Sequence, residues 1–233
     1  GLNAVLAGAN GSGTGLIAGR LRGAMRQAGE QLLIAGAAPS EVDTALRNWG
    51  FRLGPFEAED RLGLAAARDD YARTSSDRDS QLIGTPLADA LLAAGRTGRA
   101  SGAGWYDYTT PGAGAQQDPG VTAILQDLRG TPGAPPDAGQ IVLHTLAAMA
   151  NAGAWMLADG IARRPLDIDV AALSGLGMAR ARGGPMLAVD LVGLAQVAQM
   201  LKSMTTAHPG AWTPALQWSE LIKSGRTFAD LNG

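Results

Sequence analysis

The chain has 233 residues, 46% hydrophobic and 17% charged, with a formal net charge of −2. That is enough for one large domain or two smaller ones with a real core, and it makes no electrostatic case for nucleic acid or an anionic membrane as partner. There is no cysteine, which excludes disulfides, thiolate metal sites and a cysteine nucleophile.

The stretch Ala4–Leu21, AVLAGANGSGTGLIAGRL, sets an apolar run ahead of a glycine cluster. Gly13, Gly15 and Ala18 satisfy the G-x-G-x-x-[GA] spacing that cradles a dinucleotide pyrophosphate. Its context is wrong. A dinucleotide fold needs alternating strands and helices, with an acidic residue closing the second strand roughly 20 residues on. Glu30 is near that distance, yet it stands in a helical pattern with no β-branched strand before it, and 33 glycines make such a match weak.

From residue 14 onward the signals are helical. Leu16, Ile17, Leu21, Met25, Ala28, Leu32 and Leu33 recur on one helix face, and Gly36 ends that helix. The next is expected to open at Pro39–Asp43 with Ser40 as its N-cap. Thr85 is the expected cap of a further helix through Leu92, with Pro86 in its first turn. Thr109–Gln117 and the GTPGAPPDAGQ stretch from Gly130 read as turn-rich linkers, and an apolar helix follows from Ile141 to about Leu157. No strand-rich stretch follows AVLAG.

No apolar run approaches the roughly 18 residues that span a bilayer. The first basic residue is Arg20, so no signal peptide is expected; a cytoplasmic location follows as the expectation. The opening on Gly1 without an initiator Met reads as a processed chain or a piece of a longer one. His144 and His208 fit no metal-ligand spacing, so packed or capping roles and no metal are expected. Trp155, Trp212 and Trp218 read as residues of the core or of a repeat interface.

The strongest organisational signal is an internal repeat. Gly54-Pro55-Phe56 matches Gly184-Pro185-Met186, Asp60 matches Asp190, and Gly63-Leu64 matches Gly193-Leu194, all displaced by 130 positions. Upstream, Gly36 and Pro39…Asp43 match Gly160 and Pro165…Asp169. Each copy has a helix ending at glycine, a Pro-led short helix, a Gly-Pro bend and an Asp on the helix that follows.

These residues resemble a known family, the C-terminal helical domains of 3-hydroxyacyl-CoA dehydrogenases, in the duplicated form of fused bacterial fatty-acid β-oxidation enzymes. GFRLGPFEAEDRLGL (Gly50–Leu64) is similar to that family's G-[FY]-P-M-G-P-F-E-L-x-D-x-x-G-L. GRTGRASGAGWYDY (Gly95–Tyr108) is similar to G-x-x-G-[RQ]-K-[ST]-G-x-G-[FY]-Y-x-Y. GLGMARARGGPMLAVDLVGL (Gly175–Leu194) resembles the second-copy pattern G-x-G-F-P-x-x-R-G-G-P-x-x-x-x-D-x-x-G.

The resemblance implies an all-α fold of two repeated helical units of the 6-phosphogluconate/3-hydroxyacyl-CoA dehydrogenase C-terminal type. It implies a division into 1–14, the tail and strand remnant of a missing NAD-binding Rossmann domain, then 15–112 and 113–233, the two repeats. NAD would be bound by that domain, with no cofactor in this chain. The His–Glu pair handling the proton would also lie there, so no catalytic residue is assigned here. The family's Asn in the first helical turn falls on Gly19, and the Lys of the second pattern falls on Ala100. Leu53, Gly54, Pro55 and Phe56 are the candidates for lining an acyl-CoA cleft.

The implied partners are an acyl-CoA substrate and the chain's own NAD-binding domain, without nucleic acid or membrane. The tandem repeat would make the chain a monomer or weak dimer by internal pseudo-twofold packing. Two readings stay open: the substrate-side and assembly region of an NAD-dependent dehydrogenase of fatty-acid β-oxidation, not expected to catalyse alone, and a helical oligomerisation or scaffold module whose site has decayed.

Overall fold

Three- and four-residue apolar spacing after residue 14 produces a 21-residue helix, α1 (Thr14–Ile34), which buries Ile17, Leu21, Met25 and Leu33. The computed structural model describes residues 14–74, 86–129, 134–208 and 211–233. The expected AVLAG strand, Gly13 of the glycine cluster and the Thr85 cap lie outside these. The fold is all-α: among the described residues there are eleven α-helices, and the only β pairing is in isolated bridges.

After α1 come α2 (Pro39–Trp49), α3 (Pro55–Leu62), α4 (Leu64–Thr74), α5 (Pro86–Ala93) and α6 (Pro119–Arg129). Then follow α7 (Ala138–Ala158), α8 (Pro165–Gly175), α9 (Pro185–Val192), α10 (Leu194–Ala207) and α11 (Leu216–Ser224). Proline is the first residue of six of them, where its missing N–H costs nothing and its fixed φ suits a helix start. At α2 the expected cap is replaced. Pro39 is already helical, and the Ala38 N–H donates to Glu41 Oε2 at 2.7 Å, while the Ser40 hydroxyl accepts instead from Gln117 Nε2 at 2.7 Å.

The chain divides into two compact units, one of Arg26–Trp49 and Leu53–Val142, the other of the chain up to Met25, Gly50–Arg52 and Leu143–Gly233. Helix α6, which a boundary at residue 112 would assign to the second repeat, groups with the first unit and packs on α5. The linker expected at Thr109–Gln117 is pinned, Asp107 and Gln116 exchanging backbone hydrogen bonds at 2.9 and 3.0 Å.

The first unit closes on Phe56 and Trp105, both fully buried, with ring centroids 4.5 Å apart. Gly29 lets α1 approach this pair, since a Cβ there would lie 3.1 Å from the Phe56 ring. In the second unit Gly153 plays the same part, a Cβ there falling 2.6 Å from Met186 Sδ. Trp218 packs edge-on against Phe228 at 5.0 Å. Asn151 Oδ1 accepts from Trp218 Nε1 and from the Ala215 N–H, both at 3.1 Å, and Trp155 Nε1 donates to the Thr213 carbonyl at 2.9 Å. Trp212 and Trp218 are buried and Trp155 half-buried, as their size favours.

Helix α7 corrects one expectation: by length and composition it is apolar enough to cross a membrane. Its alanine content and lack of any charged residue produce that hydropathy. Most of the helix is buried, with Leu146, Ala147, Met149, Ala154 and Met156 in the core.

Candidate functional site

The Gly-Pro bend before α3 is built around a buried carboxylate. Asp43, on the inward face of α2 and wholly buried, accepts the backbone N–H of Phe56 at 3.1 Å and of Glu57 at 2.9 Å. These are donors at the start of α3 that have no partner within the helix. The Tyr106 hydroxyl donates to the same carboxylate at 2.8 Å. One turn along, Asp60 accepts from the N–H groups of Trp105 and Tyr106 at 2.8 and 3.0 Å and from the Tyr108 hydroxyl at 3.0 Å. Two aspartates thus fasten α2, α3 and the Trp105–Tyr108 turn together.

The second unit carries the same arrangement. Asp169 on α8 accepts from the N–H of Met186 at 2.7 Å and of Leu187 at 3.2 Å. Asp190 accepts from Phe228 and Ala229 at 2.9 and 2.8 Å. No tyrosine hydroxyl reaches either carboxylate, and Asp190 is only half-buried.

Beside the first bend lies a buried charge cluster. Arg26 faces Glu30 at 2.9 Å and Glu59 at 2.8 Å, and Glu59 also accepts Trp105 Nε1 at 2.8 Å. Two buried carboxylates share one guanidinium, so burial raises both their pKa values above the ordinary carboxylate range; Arg26 opposes the shift, while Asp89 pushes Glu30 further up and Asp60 does so for Glu59. Burial likewise pushes Asp43 and Asp169 up to about 7 and Asp60 to about 6, against the hydrogen bonds each accepts. His144 goes the other way, to about 4, because burial and the nearby His208 disfavour its cation.

These shifts have a sign. In the unfolded chain the aspartates ionise near 3.8, whereas folded Asp43 and Asp169 hold their protons to about 7. Across that window the folded state binds more protons, so stability is lost as pH rises from about 4 toward 7. The expected result is a lower Tm at pH 8 than at pH 5.5. Glu30→Gln, which leaves Arg26 paired with Glu59, should shrink the difference. A Tm that climbs between these pH values would contradict the assignment.

Of the residues proposed to line an acyl-CoA cleft, Gly54, Pro55 and Phe56 are buried and Leu53 is half-exposed. Gly19 is buried within α1, and Ala100 is exposed in a 3-10 turn, Arg99–Ser101. Gly15 and Ala18 are helical residues of α1, while Gly13 and the AVLAG run that would precede them lie outside the described residues. No group of three metal-ligating side chains is found among the described residues. Sequence reasoning did not single out Tyr106, Tyr108, Trp105 or the Arg26 cluster. The repeated Asp positions and the GWYDY pattern were the available signals.

Residues 15–108 match the family described as 3-hydroxyacyl-CoA dehydrogenase, C-terminal domain. The chain is 36% identical over 207 residues to the peroxisomal bifunctional enzyme of Danio rerio, covering 82% of this chain and 29% of that protein. It is 31% identical over 203 residues to the fatty acid oxidation complex subunit alpha of Shewanella amazonensis, covering 85% and 28%. The chain therefore spans under a third of the length of these relatives. Among solved structures, 3-hydroxybutyryl-CoA dehydrogenase from Escherichia coli superposes with a TM-score of 0.65 at 20% identity, over 90% of this chain and 60% of that one. The dehydrogenase part of multifunctional enzyme 1 from C. elegans does so with a TM-score of 0.64 at 18% identity, over 86% and 46%.

Proposed function

Because the chain belongs to the family of 3-hydroxyacyl-CoA dehydrogenase C-terminal domains, we propose that it forms the substrate-side and assembly region of an NAD-dependent 3-hydroxyacyl-CoA dehydrogenase of fatty-acid oxidation. The supporting observation is the bend at Leu53–Phe56, held on Asp43 inside the stretch that matches the family. Leu53 offers side-chain surface to an acyl-CoA, while Gly54, Pro55 and Phe56 fix the backbone that presents it. Carbon C3 of the substrate would give a hydride to NAD and its hydroxyl a proton to a base, both held by a domain other than the described residues, so this region would not catalyse alone.

The recurrence of the Asp–Gly-Pro and Asp–turn hydrogen bonds in both units favours descent of the two from one duplicated unit. On that reading a tandem pair satisfies within one chain the surface that a single copy would offer a second subunit, and the chain is a monomer or weak dimer. A second reading is favoured by Gly19: a residue without a side chain contributes no polar group where the family has Asn, which suits a helical scaffold with a decayed site.

Oxidation of NADH by the full-length parent protein in the presence of acetoacetyl-CoA tests the choice. Turnover that disappears when the NAD-binding domain is removed is the expected result. A folded parent that binds NADH without turnover would favour the scaffold.

A further inference from the structure

The short segment Gly50–Arg52 runs antiparallel beside Gly177–Ala179, with Phe51 opposite Met178. The Arg52 N–H donates to the Gly177 carbonyl at 3.0 Å, and the Ala179 N–H to the Gly50 carbonyl at 2.8 Å. Phe51 and Met178 are buried, so the alternate positions, Gly50, Arg52, Gly177 and Ala179, lie on the opposite face.

On that face two arginine stems each cross a glycine. A Cβ on Gly177 (φ +69) would fall 3.0 Å from Arg52 Cβ and 3.6 Å from its Cδ. A Cβ on Gly50 (φ +141) would fall 2.9 Å from Arg182 Cγ and 3.5 Å from its Nε. The stems are seated against backbone that only glycine leaves open, while Arg52 and Arg182 are exposed residues. Arg180 stands at the start of the adjoining 3-10 turn, Arg180–Arg182, and is exposed too. Arg52 and Arg180 form no ion pair among the described residues. Neither Asn48–Gly54 nor Leu176–Pro185 contains an acidic residue.

We propose that Arg52 and Arg182, with Arg180 beside them, form a phosphate-binding site that takes the phosphates of the substrate's CoA moiety. This rests on the acyl-CoA reading given above. A guanidinium presents a planar fork of donors that matches phosphate oxygens two at a time. Seating the stems on Gly50 and Gly177 removes part of the ordering cost of a flexible side chain before the ligand arrives. Leu187, two-fifths exposed, has its side chain against Gly183, an apolar neighbour for the adenine ring.

The test is calorimetric titration of the 233-residue chain with CoA, 3′-dephospho-CoA, NADH and inorganic phosphate, repeated on Arg52→Gln and Arg180→Gln. Both variants remove exposed guanidiniums that have no ion-pair partner among the described residues, and matching thermal melts confirm their folding. The expected result is CoA binding that weakens with salt, weakens without the 3′-phosphate, and falls on the order of tenfold in Arg52→Gln, as for the loss of a hydrogen bond to a charged group. CoA binding that is absent, or equal in both variants and wild type, overturns the site. So does arginine-dependent binding of NADH or inorganic phosphate without binding of CoA. Turnover by the parent protein is a separate readout, so losing the site leaves the dehydrogenase reading to its own test.

Discussion

Gly54→Ala is expected to unfold the unit formed by Arg26–Trp49 and Leu53–Val142. A Cβ at this position would lie 2.1 Å from Asp43 Oδ1 and 2.4 Å from Asp43 Cα. The clash is with backbone, so no rotamer relieves it. Nor is Asp43 free to retreat, because its carboxylate holds the N–H groups of Phe56 and Glu57 and the Tyr106 hydroxyl. Overpacking costs about 1–3 kcal/mol and occasionally more, and each hydrogen bond lost to a charged buried acceptor adds about 1.5–3 kcal/mol. The sum reaches the order of a domain's whole stability, about 5–15 kcal/mol. Denaturant unfolding followed by tryptophan fluorescence measures it. Gly15→Ala, with nothing within 4 Å of its added methyl, serves as control and should be neutral or slightly stabilising, since alanine suits a helix better. A Gly54→Ala midpoint close to that of the control would sink the account.

Asp60→Ala should be nearly as damaging, by loss of bonds in place of a clash. Three donors converge on this carboxylate, two of them backbone N–H groups of the buried residues Trp105 and Tyr106. Unsatisfied buried donors cost about 1–3 kcal/mol each, so a loss of about 3–5 kcal/mol is expected. Asp60→Asn retains one acceptor oxygen and should fall between alanine and wild type. Asp190→Ala should cost less, because Asp190 is half-buried and accepts only two bonds, one of them in an exposed setting. Urea midpoints ranked wild type, Asp60→Asn, Asp60→Ala would support this reading. Equal losses at Asp60 and Asp190 would show that the tyrosine hydroxyl and the deeper burial contribute nothing.

Much of the fold was legible before any coordinates. Apolar spacing located α1 and α7 to within a few residues, and Gly-Pro pairs marked the starts of α3 and α9. The displaced Asp, Gly and Pro positions marked the two places where one hydrogen-bond pattern recurs. Less was legible at the candidate site. Leu53–Phe56 read as a ligand-lining stretch from its resemblance alone, and the structure buries three of its four residues. Asp43 sits 13 residues from Phe56 and 63 from Tyr106, and no periodicity links such positions.

The sequence by itself determined the starts of α3 and α9 and the approximate extents of α1 and α7, because prolines, glycines and helical periodicity act over one or two turns of chain. Only the tertiary structure decided what the polar residues inside those helices do. Arg26 reaching Glu59, Asp60 facing the Trp105 turn, and Arg52 and Arg182 crossing glycines of other segments are contacts between residues that are distant in sequence. They exist only once packing has brought those segments together, and their energies depend on the burial that packing creates.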